Sequence, residues 1–115
     1  MGNWVSPTVT LEPINFDGDS IVFKARRLTV ASMSKLAGHF DGSKLSFATQ
    51  LDLAAVAATV LPDHIEAQAG WKKPDGSEFS REEFVPLFGE FYFAPLVGEL
   101  LTKLIDASTV RDAKN

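Results

Sequence analysis

From Thr8 to Phe16 apolar and polar side chains alternate, with Val9 and Leu11 and then Ile14 and Phe16 at the apolar positions. The same period of two returns from Ser20 to Arg27, where Ile21, Phe23 and Ala25 share one side. Two such runs around Asp17-Gly18-Asp19 predict a β-hairpin, because glycine accepts positive φ and the aspartates can bond nearby backbone amides. Pro13 has no amide to donate, so the first run is an edge strand or carries a bulge.

After Leu28 the apolar spacing changes to three and four. Thr29 reads as the N-cap of a short helix with Val30, Met33, Leu36 and Ala37 on its apolar face and Gly38 as its stop. Phe40 to Ser43 is a loop. A second helix is predicted from about Ser46 to Leu61, with Phe47, Leu51, Leu53, Ala54, Ala57, Val60 and Leu61 apolar and Pro62 ending it. Its alanines favour helix and allow a neighbouring backbone to approach closely. Between His64 and Trp71 the alternation of Ile65, Ala67, Ala69 and Trp71 suits a short strand. The turn Pro74-Asp75-Gly76-Ser77 would let Phe79 pair back in a small second hairpin.

Ser80-Arg81-Glu82-Glu83 is a capping box, with Phe79 and Phe84 at the positions of a hydrophobic staple. It opens the greasiest part of the chain. Phe84, Phe88, Phe91, Tyr92 and Phe93 fall within ten residues, followed by Leu96, Val97, Leu100, Leu101, Leu104 and Ile105. The only charges in this stretch are Glu90, Glu99 and Lys103. The spacing predicts a helix bent or broken near Pro95 and ending by about Ala107. On an unbroken helix, Phe93 would lie opposite the main aromatic face, beside Glu90. A small domain has little core for so much apolar surface, so part of it is expected to meet another chain. Phe84, Phe88, Phe91, Tyr92, Phe93, Leu96, Val97 and Leu101 are the candidate contacts. Periodicity alone does not divide them between core and interface. Ala54, Ala57, Phe88 and Leu100 are expected to be buried.

The predicted class is α+β: a mainly helical single domain over residues 1–115 with an N-terminal hairpin. Residues 1–7 and 108–115 are expected to be loosely ordered. The length of 115 residues suffices to bury about two thirds of the unfolded surface. Composition, at 45% hydrophobic and 23% charged, is that of a globular protein. A net charge of −4 supplies no field to attract phosphate backbones, which argues against nucleic-acid binding. The absence of cysteine excludes disulfides, thiolate catalysis and cysteine zinc sites. No signal-peptide pattern opens the chain, and no apolar run reaches the ~20 residues needed to span a bilayer.

Candidate chemistry is sparse. His39 and His64 are far apart and have no His or Cys at ligand spacing, although Asp63 and Glu66 flank His64. His64 therefore reads as a surface-loop histidine, and no metal or cofactor is expected. None of the serines sits in a nucleophile elbow, and the glycines are scattered rather than gathered in a phosphate loop. Glu82 and Glu83 are explained by helix-start chemistry. Trp4 could anchor an interface or cap the core, and Trp71 reads as half-buried packing. The residues point to no enzyme.

One arrangement does resemble a known family. A small, acidic, cysteine-free chain opens with a hairpin whose second strand, Phe23-Lys24-Ala25-Arg26-Arg27-Leu28-Thr29, runs into a helix start. A mainly helical body follows, with Ser80-x-x-Glu83 opening a late apolar helix. This is similar to the tail assembly chaperones of long-tailed (siphovirus-type) phages. The resemblance implies a non-catalytic factor that works in the host cytoplasm, or in the bacterial cytoplasm if prophage-encoded, and is not retained in the mature virion. It further implies binding to the tape-measure protein, recruitment of tail-tube subunits and self-association. In that family a longer form arises by a ribosomal slip near the end of the short form. Ala113-Lys114-Asn115 is compatible with an adenine-rich slippery heptamer over residues 112–115. The alternatives are a structural virion or head–tail connector component, or a small bacterial protein-binding module.

Overall fold

The computed structural model describes residues 8–37 and 47–109. Expectations that concern Trp4, the Gly38 stop, His39, the 40–43 loop and the tail from 110 onward lie outside the described residues, as do those for the side chains of Ala37, Phe47 and Leu51.

The first hairpin forms as its alternation dictates. Strands β2 (Ile14–Phe16) and β3 (Asp19–Arg26) pair antiparallel, with Phe16 opposite Asp19. Asp17 and Gly18 fill the two-residue turn at φ 52° and 87°, the left-handed conformations that such a turn requires. Ahead of them, β1 (Thr8–Thr10) pairs with the far end of β3, Val9 opposite Ala25. Between β1 and β2 the register slips by one residue, and Pro13 lies in that interruption. Pro13 thus sits where no ladder bond is needed, on an edge.

Helix α1 (Val30–Ala37) begins as its cap predicts. The Ser32 amide donates to Thr29 Oγ1 at 3.1 Å, and the Met33 amide to the Thr29 carbonyl at 2.9 Å. Leu36 is fully buried, but Val30, expected on the apolar face, is 88% exposed. As the first helical residue it precedes Met33 and Leu36, through which α1 reaches the core. Helix α2 (Phe47–Val60) is followed by a 3₁₀ turn, Leu61–Asp63, that holds Pro62. Ala57 is buried as expected, while Ala54 is only half-buried.

Strand β4 (Ile65–Ala69) pairs antiparallel with the opposite edge of β3. β3 is therefore central to a four-stranded antiparallel sheet. The expected alternation of Ile65, Ala67, Ala69 and Trp71 is corrected here. Ala25 faces Ile65 while Lys24 faces Ala67, so Glu66 is an extra residue that breaks the pleat. Ile65 and Gln68 consequently share the inner side with Ala25 and Phe23, and Ala67 and Ala69 turn outward with Lys24 and Val22. The small second hairpin is present beyond β4: Lys72 bridges Glu78 antiparallel, the Phe79 amide donates to the Trp71 carbonyl at 3.1 Å and the Lys73 amide to the Ser77 carbonyl at 2.7 Å, around a turn where Ser77 donates its amide to Asp75 Oδ1 at 2.9 Å.

The aromatic segment departs most from a single helix. Helix α3 (Arg81–Phe84) lasts one turn and is followed by 3₁₀ turns at Val85–Gly89 and Phe91–Phe93. Helix α4 then runs from Ala94 to Ser108. The break lies at Glu90, which is extended at φ −87° and ψ 134°, and the two halves meet at 93°. Pro86 would clash with the carbonyl four residues back in a continuing helix. Pro95, expected at the bend, instead occupies the first turn of α4, where its missing amide costs nothing. The Ser80 amide donates to Glu83 Oε1 at 2.8 Å, so the predicted reach-back of Glu83 is present.

The result is a single α+β domain of two layers. Ile21, Phe23 and Ala25 of β3, with Ile14 and Ile65, meet Leu96, Val97, Leu100 and Leu104 of α4 and Val60 of α2. Trp71, Phe84 and Phe88 close the aromatic end. Trp71, expected half-buried, is buried, with its ring centroid 5.1–6.2 Å from those of Phe23, Phe79, Phe84 and Phe93. Ser108 is no part of a loose tail. Its hydroxyl accepts from the Leu28 amide at 2.9 Å and donates to the Leu104 carbonyl at 2.7 Å, pinning the end of α4 beside the start of α1. Among the described residues no single helix is long and apolar enough to cross a membrane.

Candidate partner-binding surface

The eight candidate contacts separate into three groups. Phe84, Phe88, Leu96, Val97 and Leu101 are buried inside this chain, so in the folded domain they form core rather than a partner surface. Phe93 is half-buried, its ring 5.6 Å from that of Phe16 and 5.4 Å from that of Trp71. Placing it opposite the aromatic face assumed an unbroken helix, and the turn at Glu90 swings it inward. An aspartate at Phe93 or Leu101 would therefore disturb folding and is no clean probe of association. Phe91 and Tyr92 remain, 70% and 62% exposed.

These two residues sit on the knee of the 93° bend. The knee is built rather than loose. Tyr92 stands edge-on to Phe16 at 5.8 Å and to Phe93 at 5.1 Å. Its hydroxyl donates to Asp17 Oδ2 at 3.1 Å, which ties the knee to the turn of the first hairpin. That hydrogen bond, together with the Asp17 charge, holds the Tyr92 phenol above its usual pKa. The exposed aromatic pair thus rests on a braced base with exposed carboxylates, Asp17 and Glu90, beside it. The available sequence signal was Gly89 between Pro86 and Pro95, residues that disfavour one continuous helix through the aromatic run.

A second constellation was missed. His64 is only 5% exposed, not a surface-loop histidine. Its Nδ1 lies 3.2 Å from the Arg26 carbonyl and its Nε2 2.7 Å from Ser32 Oγ, while Thr29 Oγ1 donates to Ser32 Oγ at 3.2 Å. With Nδ1 donating to the carbonyl, Nε2 accepts from the Ser32 hydroxyl, and every proton in the chain is engaged. A serine and an imidazole in this relation have the distance of a nucleophile and its base. Here the Thr29 bond and the buried ring make the group a pin joining α1, β3 and the entry to β4. Among the described residues no group of three or more His, Asp or Glu is placed to hold a metal ion.

Comparison with known protein families, with curated proteins and with solved structures finds no match for this chain.

Proposed function

We propose that this chain is a non-enzymatic tail assembly chaperone of a long-tailed phage, acting in the cytoplasm of the host cell. It binds the tape-measure protein, helps to recruit tail-tube subunits and associates with copies of itself. The observation that supports this reading is the exposed Phe91–Tyr92 pair on its braced knee. Aromatic side chains held rigidly lose little entropy on binding, and such anchors dominate protein interfaces. The sequence of the hairpin running through Arg26-Arg27-Leu28-Thr29 into α1 supplies the family resemblance.

Co-expression with the long tape-measure protein of the same genome tests the proposal. The client stays soluble with the intact chain and precipitates with the Phe91→Asp, Tyr92→Ser double variant. A client equally soluble without this chain refutes the chaperone reading. Recovery of the chain in purified particles favours a structural virion component instead. Sedimentation of the same variant, folded but shifted toward monomer, tests self-association through the knee.

A further inference from the structure

At the bend the exposed surface is continuous. Gly89, Glu90, Phe91 and Tyr92 all face water, and so do Asp17 and Gly18 of the hairpin turn to which the Tyr92 hydroxyl is tied. Phe91 differs from the other aromatics of this end. The rings of Phe16, Trp71, Phe84 and Phe93 each lie within 6.2 Å of another ring, whereas among the described residues Phe91 has no ring partner. It offers a free aromatic face.

The groups beside that face are anionic. Glu90 directly precedes Phe91, and Asp17 accepts the Tyr92 hydroxyl, a neutral donor that leaves the carboxylate its charge. The raised pKa of the phenol, from that hydrogen bond and then from the charge behind it, agrees with a carboxylate close at hand. Among the described residues neither Asp17 nor Glu90 forms an ion pair. Asp19, half-buried at the end of the turn, adds a third carboxylate. Lys72, whose amide donates to Asp19 Oδ2 at 3.4 Å, adds one ammonium. Three carboxylates against one ammonium leave the balance negative.

A ring face attracts a cation, and a carboxylate beside the ring adds to that attraction. Arginine meets both demands at once. Its planar guanidinium stacks on a ring while its N–H groups bond a carboxylate, and its alkyl stem covers apolar surface. A purely apolar segment would cover the aromatic pair but leave the carboxylates unanswered, and an acidic one would be repelled. A two-fold contact between the knees of two copies would set carboxylates against carboxylates.

We infer that the knee takes an arginine-bearing segment of the client protein, with the guanidinium over the Phe91 ring and answered by Glu90 or Asp17. This deepens the reading of the knee as a client surface and rests on it.

The test titrates the isotope-labelled full chain with acetyl-Ala-Leu-Arg-Leu-Ala-amide and with the same peptide carrying citrulline, which keeps the shape of arginine and removes its charge. The arginine peptide should bind about tenfold more tightly, the sum of an exposed ring–cation contact and a surface ion pair. It should shift amides in residues 16–18 and 89–93, and its advantage should shrink in ~1 M salt. Asp17→Asn combined with Glu90→Gln should erase the advantage, and asparagine accepts the positive φ at position 17. Phe91→Ala should weaken the arginine peptide at least threefold. The citrulline comparison leaves the protein unchanged, so it decides the matter even if a variant fails to fold. Equal affinity for the two peptides, a preference that survives in the charge-neutralised variant, or shifts away from the knee would each overturn the inference. So would a dimer of the free chain that this variant dissociates, because the occupant would then be a second copy. The titration contains no phage component, so its failure is distinct from a failure of the co-expression experiment. In co-expression, loss of client rescue by the charge-neutralised variant would support the inference, and full rescue would overturn it.

Discussion

Phe88→Ala tests whether the aromatic segment is core or contact surface. Phe88 is 3% exposed, and its ring lies 5.8 Å from that of Phe84 beneath the 3₁₀ turn. Truncation removes most of a side chain that would otherwise return little area to water, and the surrounding rings are held by Trp71 and Phe23. Such a site cannot collapse freely, so the transfer loss and the residual cavity together should cost about 3–5 kcal/mol. For a domain of this size that lowers the thermal midpoint by roughly 12–20 °C, at ~2 cal/mol/K of unfolding entropy per residue. Urea unfolding followed by tryptophan fluorescence measures it, with Phe91→Ala as the companion variant. Phe91 is 70% exposed, so its truncation should move stability by no more than ~0.5 kcal/mol. Equal costs for the two variants, or a loss below ~1 kcal/mol at Phe88, would refute the division into buried floor and exposed knee.

Gly70→Ala should destabilise by at least ~2 kcal/mol in the same assay, because Gly70 sits at φ 97° and an added Cβ would lie 2.1 Å from the Ser20 carbonyl oxygen. Ser32→Ala leaves the buried His64 imidazole without its hydroxyl partner and should cost ~1–3 kcal/mol, and a neutral outcome would show that the pin carries no load. Tyr92 is the chain's one tyrosine, so its ionisation can be followed by absorbance without assignment. Its pKa is raised in the fold, so the Asp17 bond stabilises the protein below the ordinary tyrosine range and that contribution fades as pH climbs through the raised value. Asp17→Asn should return the titration toward about 10, and an unchanged midpoint would remove the hydrogen bond from the account. The phage assignment predicts a slippery heptamer over codons 112–115, an overlapping downstream frame and a neighbouring tape-measure gene, and reading the nucleotide sequence decides it.

What the sequence made legible is what is encoded locally. The Asp17-Gly18 turn, the Thr29 cap, the Ser80–Glu83 reach-back and the edge role of Pro13 each depend on residues within a few positions of one another, and each is present. The failures are non-local. Nothing around His64 announces that a hydroxyl from α1 and a carbonyl from β3 will satisfy both its ring nitrogens, so burial could not be foreseen. The Glu66 bulge is set by pairing with β3, and it reverses the faces that plain alternation assigned to Ala67 and Ala69. In the candidate surface, apolar periodicity named eight residues of one segment, and of these only Phe91 and Tyr92 are exposed. A run of aromatics looks the same to a hydropathy pattern whether it floors a core or crowns a bend.

The central place of β3 has a kinetic consequence. Every named strand pair in the sheet includes it. β2 can join it at once, since a two-residue turn closes on the microsecond scale. β4 cannot, because Val22 must find Ala69 across the intervening sequence that carries α1 and α2. On a ribosome the hairpin therefore emerges early with one long edge unpaired, and it waits while α1 and α2 are synthesised. That open edge is the time of greatest hazard for mispairing with another nascent chain. Folding should accordingly show a fast local phase and a slower one governed by closure of the β3–β4 loop. Inserting flexible residues between α1 and α2 should lengthen the slow phase and leave the fast one untouched.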